Sequence, residues 1–197
     1  MVCAAARALV LAAVAGCVSY RGGARPIDPA RLVAEPGWLV AAPTVALRQA
    51  GESDCGAAAL AMVARRWSVL RSVDEAAAAL PAPGAAGTRL GDLRDAASAH
   101  GLAAFAIAGD RATLIHELRA GRPVILGLLL RYGRDRARGH YEVLVGVHAE
   151  RDRFVTIDPA RGWRTRSWAA LEAEWGPVGH PTLILLGLRA IAARPVQ

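Results

Sequence analysis

The chain has 197 residues, 54% of them hydrophobic and 21% charged, which suits one compact domain with a sizeable core and excludes a disordered protein. Its net charge of +7 comes from 24 basic residues, all arginine and scattered along the chain, so it reads as a coding bias rather than a nucleic-acid surface. The absence of lysine excludes a P-loop, a Schiff-base lysine and a Ser-Lys dyad.

The first element is a targeting segment. Arg7 supplies a positive start, residues 8–15 (ALVLAAVA) an apolar stretch, and Val14-Ala15-Gly16-Cys17 a small-residue cleavage site, giving a signal peptide over 1–16. The last four residues resemble a bacterial lipobox. That resemblance implies cleavage before Cys17, lipidation of its thiol, and a membrane-anchored protein of the cell envelope facing the periplasm. Val18 and Ser19 lack the aspartate associated with inner-membrane retention, which favours the outer membrane. Residues 17–43 then read as a lipidated N-terminus and tether, rich in Gly, Pro and Arg without periodicity.

The folded domain is expected over 44–188, with a tail at 189–197. Apolar residues at 60, 63 and 67 predict a helix over 55–67, with Ser53 or Asp54 as N-cap. Ser72 and Glu75 have capping-box spacing ahead of a short helix ending at Leu80, where Pro81 and Pro83 stop it. A loop runs to Gly87. A helix follows over Leu90–His100 with Gly101 at its end, then a strand over Ala103–Ala108, then a helix from Asp110 to Ala120. The period changes in the second half. The apolar run Pro123–Leu130, strands at His140–Val147, Phe154–Ile157 and Thr182–Leu188, and a helix at Ser167–Trp175 complete an α+β pattern, helices first and antiparallel sheet second.

Cys55 is the residue with chemistry. Cys3 leaves with the signal and Cys17 is lipidated, so Cys55 stands alone where structural cysteines normally pair. At a helix N-terminus its sulfur meets unpaired N–H groups that favour the thiolate and can donate to an oxyanion. Alternation puts Tyr141, Val143, Val145 and Val147 on one strand face and His140, Glu142, Leu144 and His148 on the other. The short turn after that strand predicts a hairpin that brings Asp158 beside His140, where a carboxylate can orient an imidazole.

The spaced motifs Gln49-x5-Cys55, Asp54-Cys55-Gly56-x-Ala58, Gly87-Thr88, Arg122-Pro123-Val124-Ile125, His140-Tyr141-x-Val143-Leu144, Asp158-Pro159-Ala160-x-Gly162 and Trp175-Gly176 resemble the C39 peptidases, the bacteriocin-processing papain-like cysteine peptidase domains. The resemblance spans about residues 44–188. It implies a papain-like fold, Cys55 as nucleophile, His140 as general base, Asp158 as its orienter, Gln49 as oxyanion-hole donor, and cleavage of leader peptides after a small pair such as Gly-Gly. No metal or cofactor is required. The partners expected are a peptide or protein substrate, the membrane through the lipid anchor, and a separate export machinery, since no second hydrophobic span follows the signal; nucleic acid is not expected. Two other readings are carried: a non-catalytic peptide-binding lipoprotein on the same fold, and another Cys-dependent acyl transferase or amidase.

The remaining histidines read as bland. His100 and His116 suit cap or surface roles, and His180 is a rival base ranked below His140. The four arginines within 131–138 read as a solvated loop; a weaker reading has them attracting an anionic substrate or lipid headgroups near the anchor.

Overall fold

The computed structural model describes residues 19–187 except 83, 85 and 86, so the expected signal peptide, the lipidation of Cys17 and the tail lie outside the described residues. Two short strands, β1 (Arg25–Pro26) and β2 (Leu39–Val40), flank one helical turn, α1 (Arg31–Ala34). Then come α2 (Cys55–Ala64), α3 (Val73–Ala78), α4 (Leu90–Ala99), β3 (Leu102–Ala108) and α5 (Arg111–Arg119). The second half holds β4 (Val124–Tyr132), β5 (Arg136–His148), β6 (Arg153–Asp158), β7 (Gly162–Arg166), α6 (Trp168–Trp175) and β8 (Pro181–Gly187). The strands form one antiparallel sheet in the order β1-β7-β6-β5-β4-β8-β3, with β2 pairing β5 off that path. No helix among the described residues is long and apolar enough to cross a membrane.

Each face of the sheet packs on helices. On one side α2, α3 and α4 meet Ile125, Val143, Val145, Val155, Ile157, Leu183 and Leu185; on the other α5 and α6 meet Val124, Leu126, Leu128, Leu144, Phe154 and Ile184. This two-sided burial explains why β4 is a continuous apolar run rather than an alternating one. The helices are therefore not confined to one side, because α5 and α6 cover the face that α2 leaves open. All ten residues of α2 are buried, and its alanines let it sit close against the sheet.

Local signals set most boundaries. Asp110 accepts from Thr113 N at 2.7 Å to start α5, and Ser167 accepts from Ala170 N at 3.2 Å to start α6. Ser72 caps α3 through Glu75 N at 3.1 Å, but Glu75 returns its carboxylate to Arg71 N rather than to Ser72. Gly101 holds φ +78 after α4, a left-handed turn that suits glycine.

Three expectations are corrected. The register between β5 and β6 slips between Leu144 and Gly146, and the bulge sends Val147 into the core layer of Leu144 rather than that of Val143 and Val145. His148 accordingly packs against Trp38, 5.3 Å between ring centroids, not on the face expected from strict alternation. The stretch 131–138 is no loop: Arg131 pairs Ala137 and Tyr132 pairs Arg136, so β4 and β5 continue into a protruding hairpin that turns at Gly133 with φ +57. The stretch from Tyr20 to Ala41, expected as a tether, lies on the domain, with Ala24, Leu32 and Ala41 buried and both short strands paired to the sheet.

Candidate active site

Cys55 is the first residue of α2, 9% exposed, and the free cysteine among the described residues. The opening N–H groups of a helix have no partner within it, and they lie around the sulfur. Neither proposed N-cap side chain competes for them. Asp54 makes no capping bond; its carboxylate accepts from Gly51 N at 2.7 Å and closes the preceding turn instead. Gly56 keeps the helix start close to its neighbours, since a Cβ there would lie 3.3 Å from Thr88 Cβ and 3.4 Å from Tyr141 Cδ2.

The β5–β6 hairpin supplies the other two groups. His140 Nε2 lies 2.8 Å from Asp158 Oδ1, and both residues are buried. With Nε2 held by the carboxylate, Nδ1 is the ring nitrogen left for the thiol. Asp158 Oδ1 also accepts from Ala160 N at 2.8 Å and Arg161 N at 3.2 Å, while Oδ2 accepts from the Arg161 side chain. The carboxylate is thus fixed on every side, which in turn fixes the imidazole.

Electrostatics favour an ion pair. Burial pushes the Cys55 thiol up, but the hydrogen bond and charge of His140, with the backbone N–H groups of Tyr141 and Gly56, leave it below its ordinary range. Burial works against a charged His140, yet Asp158, Cys55 and the charge of Glu142 raise it to about 9. Burial alone would raise Asp158; His140 and Arg161 outweigh it and hold the carboxyl well below the usual range. The arrangement shifts the pair toward the thiolate–imidazolium form that a cysteine nucleophile needs.

Behind the site lies a buried charge network that the sequence did not suggest. Arg161 bridges Asp158 and, at 3.4 Å, Glu142; Arg166 joins Glu142 to Glu174; Glu174 accepts from Tyr20 OH; and Arg161 stacks 4.0 Å from the Tyr20 ring centroid. Arg161 occupies the unassigned position of Asp-Pro-Ala-x-Gly, the one local signal that could have drawn attention to it. Glu142 likewise fills the unassigned position of His140-Tyr141-x-Val143, whereas Arg166, Glu174 and Tyr20 come from other segments and carry no spacing signature. His140, Glu142 and Asp158 offer ligand atoms within 4.8 Å of one another, but a cation there would have to displace two guanidinium groups.

Gln49 stands apart from this hydrogen-bonded set. Its Nε2 donates to Gly51 O at 2.7 Å, its Oε1 is buried without a partner among the described residues, and its backbone N donates to Pro159 O at 3.1 Å. It thus joins the approach to Cys55 to the turn that follows Asp158. His180 bonds Glu172 at 2.7 Å and packs on Trp175, so it is engaged away from the thiol. His100 bonds Ala96 O at the end of α4, and His116 is exposed.

A cleft of about 150 Å³ opens beside Cys55, with Gly87, Thr88, Gly127, Gly139, Tyr141 and Pro181 in its walls. Gly87, Gly127 and Gly139 leave part of that wall without side chains. A Cβ at Gly127 would sit 3.1 Å from Pro181, whereas one at Gly139 would meet nothing within 4 Å. Arg138 flanks a second opening and pairs with Glu52 at 3.2 Å.

Comparison with known proteins places these features. Residues 44–179 match the model of the peptidase C39 family. The peptidase domain of Streptococcus ComA, described as a bifunctional ABC transporter involved in quorum sensing, is 22% identical with a TM-score of 0.59, the match covering 74% of this chain and 99% of that one. A double-glycine-motif protease from an AMS/PCAT transporter, solved with its leader peptide, is 19% identical with a TM-score of 0.58, covering 74% of this chain and 93% of that one. A chain from Bacillus anthracis described as a C39-like peptidase is 13% identical with a TM-score of 0.62, covering 76% and 97%. No curated protein matches the sequence.

Proposed function

Because the chain belongs to the peptidase C39 family, a family of cysteine peptidases, we propose that it is itself an active peptidase that cuts after small residues such as Gly-Gly. The observation that carries this reading is the hydrogen-bonded His140–Asp158 pair, whose imidazole acts on the Cys55 thiol at the start of α2 and draws its pKa down. In this mechanism the Cys55 thiolate attacks the scissile carbonyl. The oxyanion takes hydrogen bonds from the Cys55 backbone N–H and from the Gln49 amide, which must first leave Gly51 O. His140 passes its proton to the departing amine, then takes one from the water that hydrolyses the thioester. Asp158 holds the ring throughout. The glycines in the cleft wall beside the sulfur are compatible with close approach of a small-residue peptide backbone.

The proposal includes the setting. The lipobox at Val14–Cys17 makes the mature protein an envelope lipoprotein facing the periplasm, acting on peptides delivered by a separate exporter. The test of activity is incubation of the protein and of its Cys55→Ala variant with a synthetic peptide carrying one internal Gly-Gly, followed by mass spectrometry. A single cut after Gly-Gly by the wild type alone is the expected result. An intact peptide together with a thiol that alkylates no faster than free cysteine would instead favour the peptide-binding reading.

A further inference from the structure

The chain leaves little slack between Cys17 and the domain. Ser19 O accepts from Gly133 N at 3.1 Å, Arg21 N donates to Arg131 O at 2.9 Å, and Tyr20 bridges Tyr132 between them, the two rings 5.9 Å apart at their centroids. Tyr20 is tied down further by its hydrogen bond to Glu174 and by Arg161 over its ring. The segment entering the domain therefore runs along the end of the β4–β5 hairpin. Only two residue steps separate Cys17 from Ser19, a reach of roughly 7 Å even when fully extended.

That hairpin end is basic. Arg21, Arg131, Arg134 and Arg136 are exposed, none has an ion-pair partner among the described residues, and the acidic residue between them is Asp135. Arg138, the next arginine along β5, differs in being paired with Glu52. Unpaired arginines at the point where an acyl anchor would enter the chain match the chemistry of anionic phospholipid headgroups.

We propose that the end of the β4–β5 hairpin, with Arg131, Arg134 and Arg136, is a membrane-docking face for anionic phospholipid, set against the bilayer by the lipid on Cys17. The anchor half of this statement rests on the lipoprotein reading above. The pairing of residues 19–21 then orients the whole domain rather than leaving it on a flexible leash. His140 lies four residues up β5 from Arg136, roughly 14 Å at the usual strand rise, so the cleft is held close to the headgroups. Peptides emerging at the membrane surface would meet it there.

The test separates the face from the anchor. The chain carrying Cys17→Ser, which cannot be acylated there, is floated with vesicles of phosphatidylcholine alone or mixed with phosphatidylglycerol, at low and high salt. The expected result is binding that needs phosphatidylglycerol, weakens with salt, and falls about five-fold for each arginine removed in the series R131Q, R131Q/R134Q, R131Q/R134Q/R136Q. Wild-type alkylation kinetics of Cys55 check that each variant is folded. Equal binding to neutral vesicles, or undiminished binding by the triple variant, overturns the docking face. So does a triple variant that keeps vesicle binding while losing affinity for an acidic peptide, which would assign the arginines to substrate. Acylation of Cys17 is read separately from the mass of the protein extracted from envelopes. Its absence with vesicle binding intact overturns the anchor half alone; its presence without any phosphatidylglycerol dependence overturns the face alone.

Discussion

Asp158 and Glu142 face each other across the β5–β6 hairpin, and Arg161 joins them. The pairing of Val143 with Ile157, continued by one residue, sets Asp158 opposite Glu142 and leaves His140 as its diagonal neighbour. Two carboxylates in that position would repel, but Arg161 bonds one through Nε and the other through a terminal nitrogen, leaving Asp158 Oδ1 for the imidazole.

Arg161 is therefore a positioning residue, and its loss acts through Asp158. Arg161→Gln should lower kcat by about ten-fold with little change in KM. Because Arg161 helps hold Asp158 down, the acid limb of the rate profile should move to higher pH in the same variant. Arg161→Lys keeps the charge and should restore the acid limb further than it restores kcat. A merely structural role would move neither limb.

The reactivity of Cys55 should depend on His140. Iodoacetamide should modify the wild-type thiol well below the pH at which free cysteine reacts. His140→Ala removes the groups that oppose burial, so the rate near pH 7 should fall by about ten-fold or more, with the titration moving up. Stopped-flow alkylation across pH 5 to about 10 reads both effects, and identical profiles would exclude an activated nucleophile.

Stability should follow the His140–Asp158 pair on both sides of neutrality. His140 is raised to about 9 from an unfolded value near 6.5, so its contribution is complete below about pH 6.5 and is lost as pH rises through the folded value. Asp158 is depressed, so its contribution is present above about pH 3.9 and is lost as pH falls toward its folded value. With Cys55→Ala removing the thiol's own titration, and with it part of what raises His140, the Tm advantage of Cys55→Ala over Cys55→Ala/His140→Gln should shrink as pH rises above about 6.5.

Gly139 tests the cleft. A Cβ there meets none of the described atoms within 4 Å and projects from a strand beside His140, so Gly139→Val should fold normally. It should raise KM for a Gly-Gly peptide by about ten-fold or more, while iodoacetamide, much smaller, still reaches Cys55 at the wild-type rate. Parallel loss of both reactions would mean that the strand itself had been disturbed.

The sequence is most legible where a local rule acts. The caps at Asp110 and Ser167, the helix from Cys55 and the hairpin that brings His140 to Asp158 follow from side chains and spacings within one or two elements. It is least legible where distant segments decide. The bulge at Val145 depends on how β6 and β2 share β5 once β4 pairing ends, and the short strands at 25–26 and 39–40 exist because the sheet offers them edges. Gly, Pro and Arg between 18 and 43 hide that pairing, since turns and strand edges use the same residues as a free tether.

The sequence by itself determined where Cys55, His140 and Asp158 lie, because each is tied to the start of a helix or to a hairpin whose signals are local. Only the tertiary structure decided what surrounds them. Arg161, Glu142, Arg166, Glu174 and Tyr20 meet because burying one charge requires another beside it, and the partners that satisfy this lie as much as 154 residues apart in the chain. The same folding sets the Tyr20 segment on the β4–β5 hairpin, a contact that no spacing in the sequence records.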